Sequence, residues 1–405
     1  MPRGKRASVS ASADAKRRPS PALRGPSFAR RLIDWQRHHG RHDLPWQRTR
    51  DPYRIWLAEV MLQQTQVATV LRYYGRFLES FPDVAALARA PLDTVLAHWS
   101  GLGYYRRAHH LHAAARTVMA EYAGRFPSDA VTLSALPGIG RSTAAAIAAF
   151  ASGERGAILD GNVKRVLARH RGVDGWPGER DVEARLWALA GTLLPRARSG
   201  PANPGRRSSG GVEGEAPIVA YTQGLMDLGA TLCTRSHPRC GECPVAADCV
   251  ARSEGRVDSL PQRRPARALP SRARLVLLVE RDGRLALEKR PATGIWAGLW
   301  SLPELAVDAD VAAMIVARFG VAPVMLAGVA PFEHRFTHFT LTLHPLRVGL
   351  PPTIAREGVV GATDDRSCAA GVADGAACVG WFTRDEALAA ALPAPIRSLY
   401  LLLFA

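Results

Sequence analysis

Apolar residues recur at helical spacing through the first 250 positions of the chain. Ile55 and Ala58, for example, lie three residues apart and would share one face of a helix. Asp51 followed by Pro52 is typical of a helix N-cap with proline in the first turn. We therefore expect residues 28–250 to form an all-α domain.

A different pattern fills the last third of the chain. The segment LVLLVERDGRLALEKR (275–290) places two strand-like runs on either side of Asp-Gly, which is a strong signal for a β-hairpin. Further strand-like segments follow around 335–348 and 378–383, with a helical stretch near 308–319. These elements predict an α+β domain over residues 272–405.

Three other segments lack both kinds of periodicity and divide the chain. Residues 1–27 are rich in Arg, Lys, Ser and Pro and carry one acidic residue, so we expect a disordered basic arm. Residues 196–217 are a low-complexity stretch within the helical part, which predicts a flexible insertion. Residues 251–271 are rich in Arg and Pro and are expected to link the two domains.

Composition indicates the chemical class of the binding partner and the cellular compartment. The 405 residues contain 53 Lys and Arg against 36 Asp and Glu, a net charge of +17 that favours a polyanionic partner such as nucleic acid. No apolar run is long enough to span a membrane, and no secretory signal follows the basic arm. We expect a cytoplasmic, nucleoid-associated monomer, although the arm also has the composition of an organellar or nuclear targeting signal.

Four of the six cysteines stand close together in CTRSHPRCGECPVAADC (233–249). Cys233, Cys240, Cys243 and Cys249 have the spacing C-x6-C-x2-C-x5-C. Six cysteines are too few for a disulfide scaffold in a chain of this length, whereas four thiolates suit tetrahedral zinc or a [4Fe–4S] cluster. Most structural zinc sites have two short knuckles and this stretch has one, so the longer arms favour the cluster.

Two turns that contain glycine frame a candidate site upstream. Leu136-Pro-Gly138-Ile-Gly140 opens an apolar helix, and the backbone N–H groups of such a turn can bind a phosphate. About twenty residues later, ILDGNVKRVLAR (158–169) places Asp160 directly before a basic helix. Asp160 could serve only as the N-cap of that helix, or its carboxylate could stabilise positive charge on a sugar as a glycosidic bond breaks.

The cysteine loop, the hairpin and Asp160 together resemble the helix-hairpin-helix DNA glycosylases of the endonuclease III superfamily. The resemblance implies that a structural [4Fe–4S] cluster ends the helical domain and that Asp160 acts on a nucleotide extruded from duplex DNA. Members that also cut the strand carry a lysine after the hairpin, where this chain has Ser142. Ser142 cannot form a Schiff base and Lys164 is more simply a phosphate contact, so we expect a monofunctional enzyme that uses water.

The stretch IWLAEVMLQQTQVATV (55–70) narrows the resemblance to the MutY family of adenine DNA glycosylases. The resemblance implies that Glu59, which could otherwise be a paired surface residue, protonates a ring nitrogen of adenine and helps to activate water. An apolar pocket would raise the pKa of its carboxyl, as that role requires. The resemblance also gives roles to other positions: Asn162 near the attacking water; Gln64 and Tyr104 in the base stack; Gln223 at the extruded adenine; Gly138, Gly140, Ser142 and Lys164 at the DNA.

The second domain resembles the Nudix-like C-terminal domain of the same family. Gly298 and Glu304 keep the first spacing of the Nudix metal signature, but its later carboxylate positions fall in the apolar stretch 312–317. Without those carboxylates there is no Mg²⁺ site of that type, so we expect a domain that binds a ligand and does not hydrolyse it. The resemblance implies that it reads 8-oxoguanine opposite the adenine through a loop that is Phe-Ser-His in the family and Phe-Thr-His here. The expected reader residues are Phe336, Thr337 and His338, in a stretch that could also be an ordinary strand.

These expectations combine into one multidomain protein. It has an all-α helix-hairpin-helix glycosylase domain with a [4Fe–4S] loop and an α+β Nudix-like domain, and it removes adenine paired with 8-oxoguanine or guanine in double-stranded DNA. The alternatives are an oxidised-pyrimidine glycosylase with lyase activity, a nucleotide pyrophosphohydrolase and a non-catalytic lesion sensor. Glu59 and Asp160 oppose the sensor, and Ser142 opposes the lyase. We expect His109, His110 and His112 on a helix surface, and the sequence indicates no protein partner.

Overall fold

The structure is a computed structural model that describes residues 27–196, 216–265, 268–352 and 378–403. The expected basic arm lies outside the described residues, apart from Ser27 at its end. The same is true of the insertion at 196–217, apart from its ends. The fold is therefore described without these two segments.

The first part of the chain is helical, as the periodicity predicts. Its helices are α1 (Phe28–His39), α2 (Pro52–Leu62), α3 (Val67–Ser80), α4 (Val84–Arg89), α5 (Leu92–Trp99), α6 (Arg106–Glu121), α7 (Ala130–Ser134), α8 (Arg141–Ser152), α9 (Gly161–Arg171), α10 (Arg180–Thr192), α11 (Pro217–Asp227) and α12 (Val250–Ser253). Short turns of 3₁₀-helix cover Pro45–Arg48 and Ala246–Asp248, and a π-helical turn covers Leu228–Leu232. Local sequence sets several starts: the Asp51 carboxylate accepts the Tyr53 N–H at 2.9 Å before α2.

Two adjoining apolar cores hold these helices together. Buried residues of α2, α3, α5 and α6 supply most of the first core, and those of α1, α9, α10 and α11 supply most of the second. Helix α8 lies between them, because Ala144 and Ile147 are buried in the first core and Ala145 and Ala149 in the second. The turn 136–140 that precedes α8 is therefore fixed at the boundary of the two cores.

The last part of the chain is a mixed sheet with helices against it. Its elements are β1 (Ser271–Arg281), β2 (Arg284–Lys289), β3 (Trp300–Ser301), β4 (Glu304–Leu305), α13 (Val311–Phe319), β5 (Met325–Gly328), β6 (Phe332–Arg335), β7 (Thr340–Gly349), β8 (Val379–Phe382), α14 (Arg384–Ala389) and α15 (Ala394–Leu403). The predicted hairpin is confirmed, because β1 and β2 pair in antiparallel fashion around Asp282 and Gly283, both with positive φ. Strand β1 also pairs in parallel with β7.

The positions that would hold metal in a Nudix hydrolase carry other chemistry. Residues 312–317 lie in α13 and include no carboxylate. The remaining signature carboxylate, Glu304, is largely buried and forms an ion pair with Arg290 at 3.0 Å. Burial raises the pKa of Glu304, and the nearby Arg290 lowers it. This carboxylate is therefore committed to an ion pair in place of a cluster of metal ligands.

The two parts pack directly against each other through α5 and α6. The Tyr105 hydroxyl donates to the Leu392 carbonyl at 2.9 Å, and Lys289 pairs with Asp93 at 2.6 Å. Leu299 and Ala391 of the second part are buried within the first helical core. The connection between the two parts is thus an apolar and polar interface as well as a stretch of chain.

The expectation that the histidines of α6 lie on a free helix surface is wrong for two of them. His109 Nε2 lies 3.0 Å from the Ala297 carbonyl, in the second part of the chain. His112 Nε2 lies 3.0 Å from the Ala90 carbonyl, beyond the end of α4. Their polar character looked like a surface pattern, but packing between distant segments gives each ring a partner.

Candidate active site

A cavity of about 270 Å³ opens in the helical part, beside α2. Two of the predicted site residues line it, Glu59 from α2 and Gln223 from α11. The other lining residues are Gln36, Arg41, His42, Trp46, Gln47, Arg48, Thr49, Arg50, Ile55, Phe150, Val219 and Ala220. Five of the fourteen lining residues are apolar and nine are polar or charged, so the cavity offers both packing surface and hydrogen-bonding groups to a base.

Glu59 has the electrostatics expected of an acid catalyst. The cavity leaves part of this residue accessible, while protein encloses its carboxyl group. Burial raises the pKa of the Glu59 carboxyl to about 8, and the negative charge of Asp160 contributes in the same direction. The carboxyl is therefore protonated near neutral pH and can donate a proton to a group in the cavity.

Asp160 caps α9 and is electrostatically coupled to Glu59. Its carboxylate accepts the Val163 N–H at 2.8 Å, so the interpretation of this residue as an N-cap is confirmed. Burial raises the pKa of Asp160, and backbone N–H groups of Val163 and Asn162 oppose that rise. The helix start thus fixes the orientation of a carboxylate that faces a second carboxyl.

Three further predicted residues have protein partners outside the cavity lining. Ser142 Oγ accepts the Leu159 N–H at 2.8 Å and so holds the backbone just before Asp160. Asn162 Oδ1 accepts from an Arg165 guanidinium nitrogen at 2.8 Å. Lys164 Nζ is paired with Glu183 at 2.7 Å. The ion pair directs this amine to Glu183, which is not among the residues that line the cavity.

The glycine hairpin before α8 has the geometry of an anion-binding turn. Gly138 has a φ of 77°, and a Cβ at this position would lie 2.6 Å from the Cβ of His110. Gly140 is the N-cap of α8, and it has no side chain to accept the first N–H groups of that helix. Those groups, together with the positive end of the helix dipole, remain available to a phosphate.

Gln64 and Tyr104 occupy two separate loops but share an unusual backbone conformation. Gln64 lies between α2 and α3 with a φ of 56°, and Tyr104 lies before α6 with a φ of 47°. Both side chains are exposed, that of Tyr104 by 48%. An exposed aromatic residue in the left-handed region is rare and points to a functional constraint.

The predicted reader residues form a short loop between β6 and β7, so the alternative of an unbroken strand is wrong. The Phe336 ring stacks on Phe339, with centroids 4.5 Å apart and planes at 17°. The Phe336 N–H also donates to the Phe339 carbonyl at 2.9 Å. Thr337 and His338 are exposed at the tip, where the Thr337 hydroxyl lies 3.4 Å from the His338 Nδ1.

The four clustered cysteines surround one cavity of their own. Cys233, Cys240, Cys243 and Cys249 all line it, and none of them is in a disulfide. Within the described ranges, no three Cys, His, Asp or Glu side chains are arranged to hold a single metal ion. Four thiols spread around a cavity suit a [4Fe–4S] cluster, whose four irons each need one ligand.

Helix α9 joins the cysteine loop to the candidate site. Arg169 donates to the carbonyls of Thr234 at 2.6 Å and Leu260 at 2.8 Å, and Arg165 donates to the Cys233 carbonyl at 2.7 Å. Because α9 begins at the residue after Asp160, the cysteine loop braces the helix that carries this carboxylate. Leu260 is buried, so the first half of the expected linker packs against the helical part.

Sequence reasoning missed the network behind Gln223. The Gln223 amide donates to Asp227 at 2.8 Å, and the Arg41 guanidinium pairs with the same carboxylate at 2.7 Å. Asp227 is completely buried. Arg41 is 186 residues away in the chain, so no local pattern indicates the pair. One sequence signal could have suggested the rest of the cavity lining: in the stretch 44–50, Trp46 is followed by Arg48 and Arg50, and all three line the cavity.

Three family models match this chain. The model for HhH-GPD superfamily base excision DNA repair proteins matches residues 57–191, and the NUDIX domain model matches residues 274–401. The model for the iron–sulfur binding domain of endonuclease III matches residues 233–249, which include all four cysteines. With the spacing and the shared cavity, this match assigns a [4Fe–4S] cluster to the cysteine loop. In the part of the chain that the structure describes, no helix has the length and hydrophobicity to cross a bilayer.

Curated proteins of one activity are similar over most of the chain. The adenine DNA glycosylase of Buchnera aphidicola subsp. Acyrthosiphon pisum is 32% identical over 324 residues, which are 80% of this chain and 87% of that protein. The adenine DNA glycosylase of Rattus norvegicus is 35% identical over 70% of this chain and 61% of its own length. Among solved structures, a thermostable thymine-DNA glycosylase is 27% identical with a TM-score of 0.46, over 56% of this chain and 95% of that one.

Proposed function

Since the chain belongs to the adenine DNA glycosylases, which act in base excision repair, we propose that its substrate is adenine paired with 8-oxoguanine or guanine in duplex DNA. The observation that carries this proposal is the buried Glu59 carboxyl, with a pKa of about 8, in a cavity that can enclose a base. The second part of the chain supplies the exposed loop for the opposite base. Residues 28–250 are thus the catalytic domain and residues 272–405 the reader domain.

The proposed chemistry divides two duties between two carboxyl groups. Glu59, protonated near neutral pH, donates a proton to a ring nitrogen of the extruded adenine, so that the base leaves as a neutral molecule. The N-glycosidic bond then breaks with its electron pair on the base. Positive charge that develops on the deoxyribose is stabilised by the Asp160 carboxylate.

Water completes the reaction in this proposal. Once Glu59 has given its proton away, its carboxylate can accept a proton from the water that attacks the sugar. Asn162 contributes to the orientation of that water. No amine takes the place of water, because Ser142 has none to offer and Lys164 is held by Glu183.

The adenine itself is recognised by Gln223 in the cavity. Asp227 accepts from the Gln223 amide nitrogen, so the amide oxygen points elsewhere and can accept from the exocyclic amine of adenine. A base that carries a carbonyl at that position would instead meet an acceptor. This arrangement supports selection of adenine over guanine or hypoxanthine.

The DNA is held by residues of three loops that do not line the cavity. The hairpin of Gly138 and Gly140 binds a backbone phosphate through N–H groups at the start of α8. Gln64 and Tyr104 enter the base stack next to the extruded nucleotide. Extrusion costs a few kcal/mol of lost stacking and pairing, which such contacts offset.

The reader loop distinguishes 8-oxoguanine from guanine by the exposed Thr337 hydroxyl and the His338 ring. Oxidation of guanine at C8 changes N7 from an acceptor to a donor, so an acceptor on the loop favours the oxidised base. The Thr337 hydroxyl is such an acceptor, and its stacked neighbours Phe336 and Phe339 hold the loop in place. Threonine keeps the hydroxyl of the family's serine.

One experiment tests the substrate directly. Adenine release is measured under single-turnover conditions from duplexes with adenine opposite 8-oxoguanine, guanine or thymine. We expect the first to react faster than the second, with little release from the third. Equal rates on all three duplexes would contradict the proposed preference, and stoichiometric borohydride trapping of enzyme on DNA would contradict the use of water.

Matched variants locate each part of the proposal. Glu59→Gln should abolish release from every duplex, because it removes the proton donor. Thr337→Val should lower the ratio of the 8-oxoguanine rate to the guanine rate at least fivefold, while Thr337→Ser should keep it. A ratio that is unchanged in Thr337→Val would remove this residue from recognition.

A further inference from the structure

Arg107 is a buried charged residue whose hydrogen-bond partners lie at the end of α2 and in the two loops that precede α3 and α6. It stands in the first turn of α6 and is 7% exposed. Within the described part of the chain, its six hydrogen bonds go to backbone carbonyls and one hydroxyl and none to a carboxylate, although a buried charge without a counter-ion is costly. Burial lowers the pKa of Arg107 to about 10, which leaves the guanidinium charged at neutral pH. A buried charge without a carboxylate partner calls for a reason, and the loops that it contacts offer one.

The two terminal nitrogens of Arg107 divide their hydrogen bonds between these loops. One nitrogen donates to backbone carbonyls at the end of α2 and in the α2–α3 loop; the other reaches across to the α5–α6 loop. The first nitrogen donates to the carbonyls of Val60 at 3.0 Å, Met61 at 2.7 Å and Gln63 at 2.5 Å. The second donates to the Thr65 hydroxyl of the α2–α3 loop at 2.9 Å, and to the carbonyls of Leu102 at 3.1 Å and Gly103 at 3.2 Å in the α5–α6 loop. The guanidinium is therefore a bridge between two segments about 40 residues apart in the chain.

Two exposed residues with left-handed backbone, Gln64 and Tyr104, lie at the two ends of this bridge. Gln64 lies between the acceptors Gln63 and Thr65, and Tyr104 directly follows the acceptor Gly103. The left-handed conformation costs roughly 1 kcal/mol for a residue with a side chain, so surrounding contacts must impose it. The guanidinium also lies 5.6 Å from the centre of the Tyr104 ring, a further restraint on that side chain.

We propose that Arg107 is a positioning residue that holds Gln64 and Tyr104 as one preformed wedge for insertion into the base stack. This inference rests on the proposed function, because it takes the two side chains to enter the duplex beside the extruded adenine. A wedge that is already ordered loses little conformational entropy when it inserts, so more binding energy remains for unstacking the DNA. In this proposal the Arg107 charge takes no direct part in the reaction at Glu59 and Asp160.

Only an arginine side chain fits this task. Its planar fork presents several N–H donors in fixed directions, so one side chain can serve acceptors in two loops at once. A lysine amine is a single point and would satisfy one loop while it released the other. Arg107→Lys is therefore a variant that keeps the charge and removes the bridge.

Wedge insertion can be measured without catalysis. The DNA duplex carries 2-aminopurine next to the 8-oxoguanine of an 8-oxoguanine:adenine mispair, and the fluorescence of this base rises when a side chain unstacks it. Full-length Glu59→Gln protein, which does not release adenine, is bound to this duplex. We expect Arg107→Met and Arg107→Lys to reduce this rise at least fivefold. The matched control is Arg106→Met, which removes an exposed positive charge at the next position and should keep the rise within twofold.

A second readout separates positioning from a merely structural role. Single-turnover adenine release is compared for a paired adenine and for an adenine in a one-nucleotide bulge, which needs no wedge to leave the stack. Arg107→Met should slow release from the paired substrate at least tenfold and from the bulge less than threefold. Equal losses on both substrates would overturn the proposal, as would a full fluorescence rise in Arg107→Met.

The design keeps this inference separate from the proposed function and from misfolding. If wild-type protein released no adenine, the proposed function would fail while the fluorescence still reported on the wedge. If Arg107→Met did not fold, Thr65→Val would replace it, since this change removes one acceptor of the bridge and keeps the side-chain shape. Thr65→Val should reduce the fluorescence rise two- to threefold, and an unchanged rise would overturn the proposal.

Discussion

Replacing Glu59 by glutamine should inactivate the enzyme and, at the same time, stabilise its fold by an amount that increases with pH. The pKa of this carboxyl is about 8 in the folded protein against an ordinary value of 4.5, because protein encloses it. Between these two pH values the folded protein holds a proton that the unfolded chain has already released. The free energy of unfolding of the wild type therefore falls as pH rises through this window and stops falling above about 8. Glutamine has no proton to lose.

The size of the effect follows from the same two pKa values. Each pH unit crossed inside the window costs the wild type about 1.4 kcal/mol. Relative to its value below pH 4.5, the free energy of unfolding of the wild type is lower by about 2 kcal/mol at pH 6. At pH 9, above the whole interval from 4.5 to 8, it is lower by about 5 kcal/mol. The advantage of Glu59→Gln over the wild type should therefore grow by about 3 kcal/mol between pH 6 and pH 9.

Urea denaturation followed by far-ultraviolet circular dichroism measures this difference at the two pH values. Glu79→Gln is the control, because Glu79 is an exposed glutamate on α3 and its replacement should change stability by less than about 0.5 kcal/mol at either pH. A stability difference between Glu59→Gln and the wild type that is the same at pH 6 and pH 9 would refute the buried, proton-holding carboxyl.

Three further outcomes follow from the geometry of the site. The single-turnover rate of adenine release should be level below pH 8 and fall about tenfold per pH unit above it, because only protonated Glu59 donates; a rate that rises with pH would contradict this. In thermal unfolding, Gly138→Ala should lower the free energy of unfolding by about 2 kcal/mol, because φ is 77° and the new Cβ would meet His110. Gly140→Ala is the control: φ is −84° and the new Cβ enters open space, so the loss should be less than about 1 kcal/mol. Cys240→Ser should reduce the iron content from about four atoms per chain, and retention of all four would contradict its role as a ligand.

Local features of the fold could be predicted from sequence because their physics is local. Asp51 and Asp160 sit directly before the helices they cap, and the Asp-Gly pair lies between the two strands it connects. Each depends on contacts within a few residues. The cysteine spacing is similar, since one short loop carries all four ligands.

The cavity wall and the domain interface could not be predicted in the same way. Arg41 reaches Asp227 across 186 residues, and His109 meets Ala297 across 188. A polar residue on a helix gives no sign of which distant segment will cover it. The stretch 335–348 was expected as a strand, and packing of Phe336 on Phe339 instead makes a loop that divides it into β6 and β7.

The apolar contact between the two parts of the chain has a consequence for how the protein behaves when its backbone is cut. Arg263 is exposed in the connecting segment and accessible to trypsin, while Leu299 and Ala391, which follow that segment in the chain, are buried in the helical core. Separation of the halves would expose these side chains to water. A singly nicked molecule should therefore show two fragments on a denaturing gel yet elute as one particle in gel filtration, so that covalent continuity is dispensable for holding the second part of the chain against the helical part.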